Sequence, residues 1–206
     1  PTRRSSDLLG IDASRRGPHP GVKRTASSAP NPTGLTFTRL GLAHAPPDWP
    51  HQLETALAAW HPARLLVTAY ADAARIGAPP LDEVFAWAAA HNAAGLFIDT
   101  AIKDQRDLFT WIDRDTLREL VMQARHRSLL VAVAGGLTPA PAPGSAPDSA
   151  NDENTSTLAA AVQVAPDIIA VRRAACAQDG TGAVTQERVA ELRKLIALTT
   201  ATAASV

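Results

Sequence analysis

Three features of the sequence predict an α/β fold built around a parallel sheet. Five short apolar runs have the near-continuous character of strands buried on both faces. Segments that repeat apolar residues at helical spacing lie between these runs. The strand-to-strand repeat is roughly 30 residues long, which is typical of βα units. Such a repeat forms a doubly wound sheet or a (β/α) barrel, and the pattern alone does not separate the two.

Each element is predicted from its own stretch of sequence. The expected strands are Leu35–Leu42, Arg64–Tyr70, Gly95–Thr100, Leu129–Gly135 and Asp167–Arg172. Four expected helices place these apolar residues on one face: Leu53, Ala56, Leu57 and Trp60; Leu81, Val84, Phe85 and Ala88; Leu117, Leu120, Val121 and Ala124; and Val189, Leu192, Leu195 and Ile196. Asp113 or Asp115 is suited to cap the third helix.

Two segments do not follow this alternation of strands and helices. Residues 1–34 are rich in Arg, Ser, Pro, Gly and Thr without an apolar period, so we expect them to be disordered. The chain begins at Pro1, and PTRRSSDL resembles the translated read of a sequencing adapter, so we expect the natural N-terminus to be lost. Residues 138–157 have no hydrophobic face and are predicted to be a flexible insertion. The folded domain is expected to span residues 35–200.

Composition excludes several classes of function. Twenty basic residues balance twenty acidic ones, so no net field favours nucleic acid or an acidic membrane. A single cysteine excludes an internal disulfide, and the six histidines show no metal-ligand spacing, so no metal site is expected. No apolar run approaches the roughly 18 residues that span a bilayer. These features predict a cytoplasmic protein.

The strongest candidate site follows the third predicted strand, in the string Asp99-Thr100-Ala101-Ile102-Lys103-Asp104. Parallel α/β folds carry their active sites at the C-terminal ends of strands. A carboxylate there, with a lysine four positions on, suits proton transfer or Schiff-base chemistry. The alternative is a simple ion pair at the end of the strand.

Other strand ends carry weaker signals. Tyr70 and Asp72 follow the second strand, where Asp72 would otherwise cap a helix. Gly135 and Gly136 can expose backbone N–H groups to a phosphate, or simply form a turn. Arg172 and Arg173 form a candidate phosphate clamp. Cys176 lies among alanines and is better explained as a packing residue than as a nucleophile.

Taken in order, these strings resemble the (5-formylfuran-3-yl)methyl phosphate synthase family. LLVTAYADAARIGAPP resembles the family's GYADAxRVGA, and LFIDTAIKDQRDLF resembles its hallmark LDTAIKDGKxLF. LLVAVAGGL resembles its LAGS turn, and IIAVRRAACAQDGTGAV resembles GVRGAAC with the DRNGxI-type loop. FTRLGL resembles its KVGL strand. The resemblance extends from about residue 36 to residue 196.

The resemblance implies a TIM-type barrel lyase that condenses two glyceraldehyde 3-phosphate molecules into (5-formylfuran-3-yl)methyl phosphate, with loss of phosphate and water, for methanofuran-type carriers. Lys103 and Asp99 match catalytic positions. Gly135, Gly136 and the backbone near Arg173 match phosphate-binding turns. Tyr70 and Asp72 match the mouth of the site. No cofactor is expected, and the expected partner is a phosphorylated triose, with a homo-oligomer left open.

The sequence also departs from the family pattern. Arg39 replaces the lysine of KVGL and is expected to bind the substrate or its phosphate, and Arg173 replaces a glycine of GVRGAAC. The strand with the family's Schiff-base lysine has no counterpart before residue 35, and Lys23 lacks the apolar context for that role. About five of eight βα units are recognisable, so the prediction is an incomplete barrel. The alternative function is a non-catalytic chain that binds phosphate or a partner subunit.

Overall fold

The predicted alternation of strands and helices is present in the computed structural model, which describes residues 37–59, 64–104, 106–139, 156–177 and 182–203. The strands are β1 (Phe37–Gly41), β2 (Arg64–Tyr70), β3 (Gly95–Asp99), β4 (Leu130–Val133) and β5 (Ile168–Ile169). The α-helices are α1 (Trp49–Ala59), α2 (Leu81–Ala90), α3 (Arg114–His126), α4 (Thr157–Val164) and α5 (Gln186–Ala203). Short 3-10 helices cover Ala73–Arg75, Leu108–Thr110 and Arg173–Ala175.

All five strands pair in parallel, in the spatial order β1-β2-β3-β4-β5. A doubly wound sheet reverses its strand order at a switch point, and the five described strands show no such reversal. Sequential winding is the order found in (β/α) barrels. The incomplete barrel stays a prediction, and β1 and β5 are the edges of the described sheet.

Strand ends differ most from the predicted runs. β2 matches its run, and β1 lies inside Leu35–Leu42, whose first two residues are outside the described range. β4 stops at Val133, because the backbone turns at Gly135, where φ is 107°. β5 has only two residues, and the Asp167 carboxylate accepts a hydrogen bond from Val131 N at 2.8 Å beside it. A side chain thus supplements backbone pairing at this end of the sheet.

One face of the sheet packs against the helices and forms the main core. Leu96 and Ile98 of β3 are fully buried there, against Val84 of α2 and Leu117 and Val121 of α3. Residues of the predicted helical faces are buried as expected: Leu53, Ala56, Val84, Ala88, Leu117, Val121, Ala124 and Leu192. Trp60 lies outside the described residues.

The opposite face carries a smaller apolar cluster, formed by Leu66, Ala94 and Ala132 with partly buried Phe97. Because side chains alternate along a strand, Asp99 points to the same face as Phe97. The polar residues of the candidate site therefore extend from the face of the sheet that the helices do not cover.

Asp113, one of the two predicted capping residues, begins α3. Its carboxylate accepts a hydrogen bond from Thr116 N at 2.8 Å. The Thr116 hydroxyl and amide together hold the pKa of Asp113 below its usual range. Its negative charge also lies where the positive end of the helix dipole favours an anion.

The predicted N-terminal segment 1–34 lies outside the described residues, and so do residues 140–155 of the predicted insertion. The two ends of that insertion meet. Thr138 N donates to Thr157 Oγ1 at 2.9 Å, and Ser156 Oγ donates to Thr138 O at 3.1 Å. In the described ranges, no helix combines the length and apolar character needed to cross a membrane.

Candidate active site

Asp99 and Lys103 form the centre of the candidate site. Asp99 is the last residue of β3, and the chain turns back so that Lys103 Nζ lies 2.8 Å from Asp99 Oδ1. The same amino group donates to the Thr100 carbonyl at 2.5 Å. The Lys103 side chain is 48% exposed, whereas that of Asp99 is 13% exposed. The predicted pair is therefore in contact, with its amino group open to a ligand and its carboxylate largely enclosed.

Arg39 reaches Asp99 from two strands away. Its guanidinium lies 4.2 Å from the centroid of the Phe97 ring, and Arg39 Nη1 lies 3.7 Å from Asp99 Oδ2. Stacking on the aromatic ring suits the planar guanidinium better than it would suit an ammonium group. Asp99 therefore lies between two cations, one that can give up its proton and one that stays charged.

Asp72 holds the loop that carries Lys103. It is buried, and its two carboxylate oxygens accept hydrogen bonds from Ala101 N at 2.7 Å and Ile102 N at 3.0 Å. It precedes the 3-10 helix Ala73–Arg75 without a capping hydrogen bond from its side chain. These contacts favour a positioning role, and its predicted substrate contact stays a prediction.

Tyr70 lies beside Asp99 in the register of β2 and β3 and is buried. A Cβ atom at Gly41 would lie 2.6 Å from the Tyr70 hydroxyl oxygen. Glycine at position 41 therefore makes room for the phenol, which points across β1 at the carboxyl end of the sheet. Direct contact of Tyr70 with substrate stays a prediction.

Gly135 and Gly136 form a turn that packs against the loop after β3. Both have positive φ, and a Cβ at Gly135 would lie 3.1 Å from Thr100 N. A Cβ at Gly136 would lie 3.1 Å from Arg106 O, and Gly135 O accepts from Leu108 N at 2.8 Å. The turn explanation is confirmed, and phosphate binding by the same backbone stays a prediction.

Arg172 and Arg173 lie at the end of β5, and both are exposed. In the part of the chain that the structure describes, neither forms an ion pair with the Asp99–Lys103 centre. Cys176 is 4% exposed and is bridged to Val184 through the backbone. Its burial agrees with a packing residue, and the phosphate clamp stays a prediction.

Sequence reasoning missed an arginine–tryptophan cluster beside Lys103. We define it as Arg75, Asp104, Arg106 and Trp111. Asp104 Oδ2 accepts from Arg75 Nη2 at 2.9 Å and from Arg106 Nη2 at 2.6 Å. The guanidinium carbons of Arg75 and Arg106 lie 4.9 Å and 4.8 Å from the Trp111 ring centroid. The available signal was the position of Asp104 and Arg106, one and three residues after Lys103.

The electrostatics of this cluster keep its ions charged. The hydrogen bond from Arg106, helped by that from Arg75, holds the pKa of Asp104 well below its usual range. The same bond raises the pKa of Arg106. Within the described ranges, no three His, Cys, Asp or Glu side chains are arranged to hold a metal ion.

Comparison with known proteins identifies the family to which the chain is similar. Residues 17–144, more than half of the chain, match the family described as 4-HFC-P synthase. The chain belongs to the 4-HFC-P synthase family. It is 31% identical over 134 residues to (5-formylfuran-3-yl)methyl phosphate synthase of Methanothermobacter thermautotrophicus, covering 64% of this chain and 50% of that protein.

A second relative gives the same result. The chain is 29% identical over 135 residues to (5-formylfuran-3-yl)methyl phosphate synthase of Methanococcus maripaludis, covering 64% of this chain and 50% of that protein. The chain thus spans about half the length of the curated relatives it matches. Most of the candidate site, from Arg39 to Gly136, lies inside the part that matches the 4-HFC-P synthase family.

Proposed function

We propose that this chain is part of a lyase that condenses two glyceraldehyde 3-phosphate molecules into (5-formylfuran-3-yl)methyl phosphate, with loss of phosphate and water, for methanofuran-type carriers. Family membership and the names of the two relatives support the product. The single observation that carries the chemistry is the 2.8 Å contact of Lys103 Nζ with Asp99 Oδ1.

In this proposal Lys103 is the proton shuttle. Condensing two aldehydes and removing water requires protons to be taken from carbon and given to oxygen, and a positioned side chain does both. Lys103 is half-exposed, so its amino group is reachable, and Asp99 fixes its direction. When Lys103 gives up its proton, Asp99 still faces Arg39, so the enclosed carboxylate is not left without a cation.

Arg39 then has an electrostatic role in place of the family's lysine. A guanidinium keeps its proton under all ordinary conditions, so Arg39 does not transfer protons. Its stacking on Phe97 holds the charge beside Asp99. Arg39 thus keeps a positive charge beside the Asp99 carboxylate throughout the reaction.

The test compares Lys103→Met with the unchanged sequence, both in the full-length enzyme, and the variant should still bind the triose phosphate. Methionine keeps an unbranched stem of similar size and removes the titrating group, and the half-exposed position tolerates the change. We expect turnover of the triose phosphate to fall by about 10²-fold or more, the scale of general acid–base catalysis. Product formation is followed by chromatography, and thermal melting confirms that the variant folds.

A matched control is Lys194→Met, which removes a lysine from an exposed position of α5. We expect it to leave turnover unchanged. Near-normal turnover in Lys103→Met would contradict the proposal and reduce the Asp99–Lys103 contact to an ion pair. A large loss of folded Lys103→Met protein would support the same structural interpretation.

The alternative is a non-catalytic chain that binds phosphate or a partner subunit. One observation favours it: Arg39 stands where the family pattern has a lysine that can transfer protons. Binding of triose phosphate without any product from the unchanged protein would favour this alternative.

A further inference from the structure

Two loops bring a pair of arginines to the same tryptophan. Arg75 ends the 3-10 helix after β2, and Arg106 belongs to the loop after β3. Both guanidinium groups lie within 5 Å of the Trp111 ring centroid. The aromatic ring restricts their movement, since a guanidinium stacks on such a surface. The arginines are thus held in place at the carboxyl end of the sheet.

Their N–H groups converge on one point. A single oxygen, Asp104 Oδ2, accepts from Arg75 Nη2 at 2.9 Å, Arg106 Nη2 at 2.6 Å and Arg106 Nε at 3.1 Å. Three donors around one anionic oxygen are the arrangement that arginines offer to a phosphoryl oxygen. The Asp104 carboxylate therefore fills a three-donor cradle whose chemistry suits an oxyanion.

The cradle is accessible to a ligand. The side chains of Arg75, Asp104 and Arg106 are 27%, 29% and 47% exposed. Arg75 Nη1 also lies 3.9 Å from Asp72, whose oxygens are occupied by two loop amides. An incoming anion therefore has to compete mainly with Asp104, an exposed side chain that water can solvate once it is displaced.

We propose that the arginine–tryptophan cluster is an anion site for the phosphate group of a phosphorylated substrate, with Asp104 as the internal anion that this phosphate displaces. The choice of substrate rests on the proposed function, whose reaction joins two molecules that each carry a phosphate. Asp104 directly follows Lys103, and consecutive Cα atoms are about 3.8 Å apart. A phosphate bound here therefore lies at the loop that carries Lys103.

The position also fits a reaction of two phosphorylated molecules, which requires two phosphate sites. Gly136 packs against the Arg106 backbone, with a Cβ there placed 3.1 Å from Arg106 O. The predicted phosphate turn at Gly135 and Gly136 and the arginine–tryptophan cluster therefore both adjoin the loop that carries Lys103. Each can take the phosphate of one of the two substrate molecules.

The experiment measures binding of inorganic phosphate by calorimetry and by tryptophan fluorescence. Arg106→Gln should weaken binding by about tenfold, the loss expected when charged hydrogen bonds are removed. Asp104→Asn should strengthen binding by roughly threefold or more, because it removes the competing charge and keeps an acceptor that holds the arginines. Phosphate should change the fluorescence, and Trp111→Phe should abolish that change.

The matched control is Arg118→Gln, which removes an exposed arginine paired with Asp115 on α3. It should bind phosphate as the unchanged protein does. Thermal melting checks that each variant folds. Arg106→Lys keeps the positive charge but loses the forked guanidinium, so its phosphate affinity should lie between those of the unchanged protein and Arg106→Gln.

Three results would overturn the proposal. They are no binding of phosphate to the unchanged protein, equal binding by Arg106→Gln, and weaker binding by Asp104→Asn. Phosphate binding needs no turnover, so the two proposals fail separately. A binding protein without product keeps the anion site and refutes the lyase, whereas turnover together with equal phosphate binding by Arg106→Gln keeps the lyase and refutes the anion site.

Discussion

The two faces of the sheet have different roles, and β3 contributes residues to both. Leu96 and Ile98 point to the helices and are fully buried among apolar side chains. Phe97 and Asp99 point the other way, where Phe97 stacks on Arg39 and Asp99 bonds Lys103. Alternation along a five-residue strand therefore separates the residues that stabilise the fold from those that form the site. Changes on one face should leave the other largely intact.

The largest effect is expected on the helix-packed face. Leu96→Ala should lower the free energy of unfolding by about 2–5 kcal/mol, because it removes buried apolar atoms and leaves a cavity. The measurement is urea unfolding, with Ile98→Val as the milder control at about 0.5–1.5 kcal/mol. Phosphate affinity per folded molecule should not change. A loss of affinity at full folding would show that the two faces are coupled.

A smaller effect is expected where the polar face meets the loop. Asp72→Asn replaces one of two acceptors for Ala101 N and Ile102 N, so we expect a loss of about 1–3 kcal/mol in unfolding free energy. In Asp72→Asn, the amides of Ala101 and Ile102 should exchange with solvent faster than the amides of β3.

The control for this loop is Asp82→Asn, an exposed acidic residue in the first turn of α2. It should leave exchange at Ala101 and Ile102 unchanged. Equal protection of both amides in Asp72→Asn and Asp82→Asn would show that the loop is held by other contacts.

The smallest effect is expected from a polar contact on the helix side. Asp113→Ala should lower the melting temperature by a few degrees at neutral pH, because α3 loses its N-terminal cap. The pKa of Asp113 is lowered in the folded protein, so its contribution is present above the unfolded pKa. That contribution is lost as the pH falls through the folded pKa.

Melting curves measured from pH 7 downwards test this dependence. The difference between Asp113→Ala and the unchanged protein should be constant near neutrality and shrink in acid. A difference that grows in acid would have the opposite sign and would contradict the proposed cause. Phosphate affinity should be the same in both proteins at neutral pH.

Much of the fold could be predicted from local sequence. The five strands and the apolar faces of α1, α2 and α3 follow from hydrophobic periodicity, which each segment carries by itself. Asp99 and Lys103 could be paired because they lie four residues apart at a strand end. The length of β5 could not, since it depends on how the Asp167 carboxylate bonds the neighbouring strand.

The rest of the site depends on contacts between distant parts of the chain. Arg39 reaches Asp99 across β2, which requires the register of three strands and the stacking surface of Phe97. Arg75 meets Asp104 across 29 positions. No local sequence pattern predicts this contact, because it depends on which loops lie side by side at the edge of the sheet.

The packing of Gly135 against the loop after β3 has a consequence for motion. Leu108 N donates to Gly135 O at 2.8 Å, and a Cβ at Gly135 would lie 3.3 Å from Leu108 Cβ. The loop that carries Lys103 therefore cannot swing away from the sheet without breaking this hydrogen bond. The amide of Leu108 is thus a natural reporter: its protection from exchange with deuterated solvent reports the free energy of this opening.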